Sequence, residues 1–136
     1  SKVATTSCVG YSYRTNLSSL TTSYRPDRFE ACLYFYDYAL QLVEDSPAAA
    51  DCVLRLKKTL FIYMKMCISQ EVSRVSGKTR RDACEAIRKM AGDERLLKVI
   101  NDYPCERLGF AQRAFVGLLR HRAARVLYAA AECRVF

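Results

Sequence analysis

Apolar residues recur at intervals of three and four along most of this chain from Pro26 onward, which is the period of an α-helix. The pattern is clearest between Val53 and Val75, where one stripe contains Val53, Leu56, Leu60, Met64, Cys67, Ile68 and Val72. The segment from Val3 to Tyr13 is instead rich in Val, Thr and Tyr, which favours a strand. We therefore predict a mainly α fold, with about five helices in a small bundle after a short N-terminal strand or extended segment.

Helix start and stop signals divide the long periodic region. Prolines at first turns, a Thr79–Asp82 capping pair and glycines between the apolar stripes mark the ends. The second helix, with the widest apolar arc, is the predicted central helix. The first two predicted helices run from about 26 to 44 and from the Ser46–Pro47 start signal to Ser76. The third runs from Thr79 to Met90, and the fourth from Asp93 to just before Pro104. The fifth runs from near Cys105 to near Phe136.

Size and cysteine usage limit the class of protein. A chain of 136 residues, 51% of them hydrophobic, can bury a core without help from metals or disulfides. Its seven cysteines are spaced too far apart along the chain for a metal-ligand cluster, and their number is odd. We expect reduced, mostly buried thiols in a cytoplasmic protein and no metal site. Because the chain begins at Ser1, we also expect it to be a piece of a longer protein.

The sequence offers no complete catalytic constellation. Its one histidine, His121, has no nucleophile or carboxylate at a recognisable spacing, and the acidic pair Glu44–Asp45 is more typical of a solvated helix end. An Asp-x-Asp metal motif and a glycine-rich phosphate loop are both missing from the sequence. The nine tyrosines are better explained by packing than by base stacking, so we expect no nucleic-acid partner. We assign this chain no catalytic residue and no cofactor of its own.

The net charge of +8 is concentrated in the second half of the chain. The stretch between Arg107 and Glu132 contains no acidic residue, and as one helix it would carry arginines beside an apolar stripe. Such a helix can lie at a membrane surface, with its arginines on lipid phosphates, or simply pack on the other helices. The candidate surface for an anionic membrane or a partner protein consists of Arg113, Arg120, Arg122 and Arg125.

The most informative stretch lies before the first helix. Tyr13 and Arg14 are followed by Asn16, two residues after the arginine, and by Ser19, five residues after it. This stretch resembles the Y-Y-R-x-[NH]-x-x-S-[IL]-[ST] segment near the end of the catalytic domain in bacterial family-2 glycosyltransferases. The resemblance covers about eleven residues, and the helical layout after it is similar only loosely to the C-terminal region of those enzymes.

The resemblance implies that Arg14, Asn16 and Ser19 contact the phosphates of a nucleotide-sugar donor. Residues 1–25 would then be the strand and polar loop that end a catalytic domain, and 26–136 a C-terminal helical domain. The parent enzyme would transfer a sugar to a cell-surface glycan precursor at the inner face of the plasma membrane. Its N-terminal catalytic domain would hold Mg²⁺ or Mn²⁺. That domain is missing here, so we expect this chain to be non-catalytic by itself.

Other interpretations remain open on the sequence. Asn16 and Ser19 could bond their own backbone in an ordinary polar loop, leaving Arg14 as an exposed charge. The chain could also be a free-standing helical interaction module that binds a partner protein or an anionic membrane. A nucleic-acid-binding regulator is a third and weaker alternative.

Overall fold

The computed structural model describes residues 23–43 and 49–135, and within them the protein is mainly helical, as predicted. Helix signals and apolar stripes in the sequence thus gave the correct fold class. The predicted strand between Val3 and Tyr13 lies outside the described residues. Two 3₁₀ turns connect the helices, at Arg74–Ser76 and Cys105–Arg107. The described part contains six α-helices: α1 Arg28–Val43, α2 Ala49–Val72, α3 Arg80–Ala91, α4 Glu94–Asp102, α5 Phe110–Arg120 and α6 Ala124–Glu132.

The longest helix, α2, is the centre of the bundle, in agreement with the sequence prediction. It contacts α1, α3 and α6. Four members of its predicted apolar stripe are buried: Leu60, Met64, Cys67 and Ile68. They share one core with buried side chains from each of the other helices. One continuous core unites all six helices, so the described part of the region 26–136 is a single packed unit.

Two of the predicted helix starts are confirmed at atomic detail. Thr79 caps α3, because its hydroxyl oxygen accepts a hydrogen bond from the backbone N–H of Asp82 at 3.2 Å. Asp93 caps α4 by accepting from the backbone N–H of Arg95 at 2.9 Å and of Leu96 at 3.3 Å. Each cap satisfies N–H groups that have no partner inside the helix.

The predicted fifth helix is wrong, because the structure divides that region into α5 and α6. Arg122 adopts a left-handed conformation with φ of 51°, and the N–H of Ala123 donates to the carbonyl of Leu118 at 2.9 Å. This arrangement is a helix-ending motif in which the chain turns away from the axis. The region also starts differently, since Cys105 begins a 3₁₀ turn and α5 starts only at Phe110.

The turn allows α5 and α6 to bury different faces. Phe115, Val116 and Leu119 of α5 are buried, and so are Ala124, Leu127 and Ala131 of α6. Helix α6 packs on α2 and α3, whereas α5 contacts α4 and α6. The two helices thus pack on different neighbours, and burial of both apolar faces favours the break.

Candidate functional site

The chain that leads into α1 is fastened to the end of α2 by polar side chains. The amide nitrogen of Gln70 donates to the carbonyl of Arg25 at 2.6 Å, and the hydroxyl of Tyr24 donates to the carboxylate of Glu71 at 3.3 Å. Lys78 forms an ion pair with the same carboxylate, and its ammonium lies 5.2 Å from the centre of the Tyr24 ring. We call Tyr24, Gln70, Glu71 and Lys78 the anchor cluster.

Local sequence signals explain how Lys78 returns to Glu71. Helix α2 ends at Val72, and the hydroxyl of Ser76 donates to the carbonyl of Glu71 at 3.0 Å. Gly77 then takes a φ of 64°, which glycine adopts without steric cost. The resulting tight turn reverses the chain, so the side chain of Lys78 reaches the carboxylate that it pairs with.

A cavity of about 280 Å³ adjoins the anchor cluster. Gln70 lines it with a side chain that is only 9% exposed. The Oε1 atom of Gln70 accepts no hydrogen bond from any described residue, so it can accept one from a ligand or a water molecule. Cationic, carboxylate and apolar side chains line the same cavity, and its other lining residues include Arg28, Phe29, Glu30, Cys67, Lys89, Met90 and Asp93.

A second concave surface lies between α3 and α6. Its volume is about 790 Å³, and its lining consists of Cys84, Glu85 and four arginines, namely Arg80, Arg81, Arg88 and Arg125. We call this surface the arginine groove. Among residues 23–43 and 49–135, none of these four guanidinium groups has an ion-pair partner at a carboxylate. Guanidinium groups bind phosphates and carboxylates with paired hydrogen bonds, so the groove suits an anionic ligand.

Two of the arginines predicted to form a membrane or partner surface are exposed and also donate hydrogen bonds to backbone carbonyls. Arg113 donates to the carbonyl of Leu108 at 3.2 Å, and Arg120 donates to the carbonyl of Ile100 at 3.2 Å. Both bonds hold α5 against the segment that precedes it. These contacts satisfy backbone carbonyls near the end of α4 and before α5.

The other two predicted arginines lie at and beyond the break. Arg122 occupies the left-handed position that ends α5, close to Gly92 at the end of α3. Arg125 belongs to the first turn of α6 and joins the arginine groove. Because α5 and α6 are separate helices, the four arginines do not line one helix as predicted.

Sequence reasoning missed the three arginines of α3 that form most of the groove. Arg80, Arg81 and Arg88 are exposed on a helix that was predicted correctly, and their density of positive charge was visible in the sequence. Their proximity to Arg125 depends on the packing of α6 on α3. The predicted donor-side residues Arg14, Asn16 and Ser19 lie outside the described residues.

These features define a helical bundle with an anchored N-terminal approach and a cationic groove. In the described part of the chain, no helix combines the length and the apolar character needed to cross a membrane. Comparisons of the sequence and structure with protein-family models, curated proteins and solved structures found no match.

Proposed function

We propose that this chain is the C-terminal helical part of a glycosyltransferase that moves a sugar from a nucleotide-sugar donor to a cell-surface glycan precursor. The observation that carries the proposal is the order of features along the chain. The Tyr13–Arg14 motif comes first, an anchored approach segment follows it, and the helical bundle comes last. This is the order that the resemblance to family-2 enzymes implies.

The anchor cluster supplies a physical role for the bundle in this proposal. Only three residues separate Ser19 of the motif from Ser23, where the described chain begins. Tyr24 and Arg25 are then held by Glu71 and Gln70. A phosphate-binding loop works best when its ends are fixed, because positioning of donors before the reaction lowers the entropic cost of reaching the transition state. The bundle would therefore hold one end of a donor-phosphate loop.

The chemistry assigned to the loop follows from its side chains. Arg14 would place a planar fork of donors on the diphosphate, and Asn16 and Ser19 would add hydrogen bonds. The catalytic domain, with Mg²⁺ or Mn²⁺, would stabilise the leaving nucleotide as the bond at the anomeric carbon breaks. The chain itself contributes positioning and no catalytic group.

The test needs the complete reading frame and a donor-turnover assay. The region upstream of Ser1 should contain an alternating αβ pattern with an Asp-x-Asp motif. In that full-length protein, Arg14→Ala should lower kcat/KM for the donor by about tenfold or more, as expected for a lost charged hydrogen bond worth ~1.5–3 kcal/mol. Arg55→Ala is the matched control, because Arg55 is exposed on α2 and its i,i+4 pair with Asp51 spans 4.0 Å. An upstream frame without the αβ pattern would reject the proposal, as would an Arg14→Ala enzyme with normal kinetics.

The arginine groove favours a second candidate function, docking on an anionic membrane. The four guanidinium groups of the groove, which have no carboxylate ion-pair partner among the described residues, would interact with lipid phosphates, each contributing ~1 kcal/mol near the surface. Combined replacement of Arg80, Arg88 and Arg125 by Ala should abolish co-sedimentation with phosphatidylglycerol vesicles at low salt. Replacement of Arg55 and Lys58 on α2 should have a smaller effect.

Two results would count against membrane docking. The first is equal loss of binding in the groove variant and in the α2 control, since that would indicate attraction by net charge alone. The second is absence of vesicle binding by the unaltered protein at low salt, where electrostatic attraction is strongest. Binding of an acidic protein without vesicle binding would point instead to a protein partner for the groove.

A further inference from the structure

The arginine groove places positive charge where helix electrostatics oppose it. Arg80 and Arg81 are the first two residues of α3, and Arg125 is the second residue of α6. The N-terminus of a helix carries a partial positive charge, so cations there are unfavourable and anions are favourable. In the first turn of α3 the carboxylate of Asp82 offsets part of this effect, but the first turn of α6 contains no acidic residue. Three of the four arginines therefore occupy positions that lower the stability of the fold.

The packing of α6 on α3 gathers these charges around one concave surface. The guanidinium carbon of Arg80 lies 5.3 Å from the centre of the ring of Tyr128, so this side chain is held between the two helices. Arg88 follows eight residues later on α3, and Arg125 lies on the α6 side. No carboxylate of residues 23–43 or 49–135 forms an ion pair with these guanidinium groups, so their mutual repulsion adds to the loss of stability.

The charge and size of the groove indicate the kind of anion that fits it. Four positive charges and the one negative charge of Glu85 leave the lining with a net charge of +3. A single phosphate group carries about −1.5 to −2 at pH 7, which would leave part of this charge uncompensated. Two neighbouring phosphate groups carry more negative charge, and their oxygens can accept paired hydrogen bonds from several guanidinium groups. The volume of about 790 Å³ lies within the range of ~300–1,000 Å³ that is usual for ligand sites.

We propose that the arginine groove binds one compact ligand with two neighbouring phosphate groups, which belong to a soluble molecule or to a lipid headgroup. The phosphate oxygens would accept hydrogen bonds from Arg81, Arg88 and Arg125. The ligand would also relieve the repulsion between the arginines and would interact favourably with the N-terminus of α6, so its binding should stabilise the fold. This inference rests on the anion-binding role that membrane docking also assumes for the groove, and it is independent of the glycosyltransferase role.

Titration calorimetry with inorganic pyrophosphate tests the ligand chemistry at pH 7 and low salt. Pyrophosphate should bind with a stoichiometry of one, and more tightly than orthophosphate. Arg88→Ala and Arg125→Gln should each weaken binding by about tenfold or more, as expected for a lost charged hydrogen bond. Arg88→Lys should also weaken binding, because lysine keeps the charge but lacks the planar fork of donors. Lys58→Gln is the matched control, since Lys58 is exposed on α2 outside the groove, and it should bind as the unaltered protein does.

Thermal melts give a second measurement, in which loss of binding is separated from loss of folding. Without ligand, Arg125→Gln should melt ~1–4 °C above the unaltered protein, because it removes a cation from a helix N-terminus. Pyrophosphate should raise the melting temperature of the unaltered protein and of Lys58→Gln, and should raise that of Arg125→Gln much less. A variant that is more stable but binds less has not lost binding through unfolding.

Vesicles distinguish the two sources of the phosphate groups. Cardiolipin carries two phosphate groups in one headgroup and phosphatidylglycerol carries one, so vesicles with either lipid are prepared at equal total phosphate. Preferential co-sedimentation with cardiolipin would identify a lipid headgroup as the ligand. Equal binding to both vesicles, together with pyrophosphate binding in solution, would identify a soluble ligand. Either result supports the proposed site.

Three results would overturn the inference. The first is absence of pyrophosphate binding at low salt; if phosphatidylglycerol vesicles then still bound the protein, membrane docking would stand and the ligand with two phosphate groups would be rejected. The second is equal weakening of binding in Arg125→Gln and Lys58→Gln, which would indicate attraction by net charge alone. The third is an Arg125→Gln protein that melts below the unaltered protein without ligand, because Arg125 would then support the fold.

Discussion

The left-handed residue between α5 and α6 gives the sharpest test of the fold. Arg122 has φ of 51°, and a side chain with a Cβ atom in that region costs ~1–2 kcal/mol relative to the right-handed conformation. Arg122→Gly removes this penalty, and Arg122→Ala keeps it. Because both variants remove the guanidinium group, their difference in stability isolates the backbone conformation.

Two opposing free-energy contributions set the expected stability difference between Arg122→Gly and Arg122→Ala. Glycine avoids the left-handed penalty but loses ~0.5–1 kcal/mol through the greater freedom of the unfolded chain. The Gly variant should therefore be more stable than the Ala variant by ~0.5–1 kcal/mol. In one continuous helix through residue 122 the order would be reversed, with Ala more stable than Gly by ~1 kcal/mol. The sign of the difference thus distinguishes the two structures.

Urea unfolding followed by circular dichroism measures the difference. A change of about 1 kcal/mol moves the midpoint by roughly 0.5 M when the slope is near 2 kcal/mol per molar. Ala114→Gly is the matched control, because Ala114 is exposed inside α5 and should lose ~1 kcal/mol. If Ala114→Gly is destabilised and Arg122→Ala is nevertheless more stable than Arg122→Gly, the break between α5 and α6 is refuted.

Three further predictions concern stability. Leu127→Ala should lower the free energy of unfolding by ~2–5 kcal/mol in urea, because Leu127 is fully buried, whereas Val126→Ala at its exposed neighbour should change it by ~0.5 kcal/mol or less. Gly77→Ala should lose ~0.5–1 kcal/mol in the same assay, since φ is 64° there and the smaller freedom of the unfolded Ala chain offsets part of the left-handed penalty, and an unchanged midpoint would disprove the left-handed turn. Burial raises the pKa of Asp93, but hydrogen bonds from Arg95 and from backbone amides outweigh it, so the net pKa lies below 3.8. The ionised Asp93 carboxylate stabilises the fold fully above pH 3.8, and this stabilisation is lost as pH falls through the lowered pKa. Asn can still cap the helix but does not titrate, so the melting temperature of Asp93→Asn should fall less on acidification than that of the unaltered protein.

Much of the fold was readable from local signals. Thr79 and Asp93 cap helices in the structure, and the apolar stripe of α2 predicted its buried face. Capping and amphipathic spacing act over a few residues, so their physical causes lie in the sequence itself. The predicted start of α1 is two residues too early, because Pro26 was expected to begin a helix that starts at Arg28. Helix ends are fixed less precisely by local signals than helix interiors are.

The failure at the last helix has a definite cause. Residues around Arg122 include no glycine or proline, so the local sequence gave no reason to end a helix there. The chain turns because α5 and α6 each gain a buried apolar face, and that gain exceeds the cost of one left-handed residue. The same turn places Arg113 in α5 and Arg125 in α6, so these arginines do not lie on one helix as predicted. Proximity of Arg125 to Arg88 could not be derived without the packing of α6 on α3.

The sequence by itself determined the helical class, most helix limits, the excess of positive charge and the motif that underlies the proposed glycosyltransferase role. These properties depend on side-chain type, on spacing of a few residues or on composition. Only the tertiary structure decided the break after α5, the arginine groove and the anchor cluster. Each of these joins residues that are distant in sequence or reflects a local conformation chosen by burial in the common core.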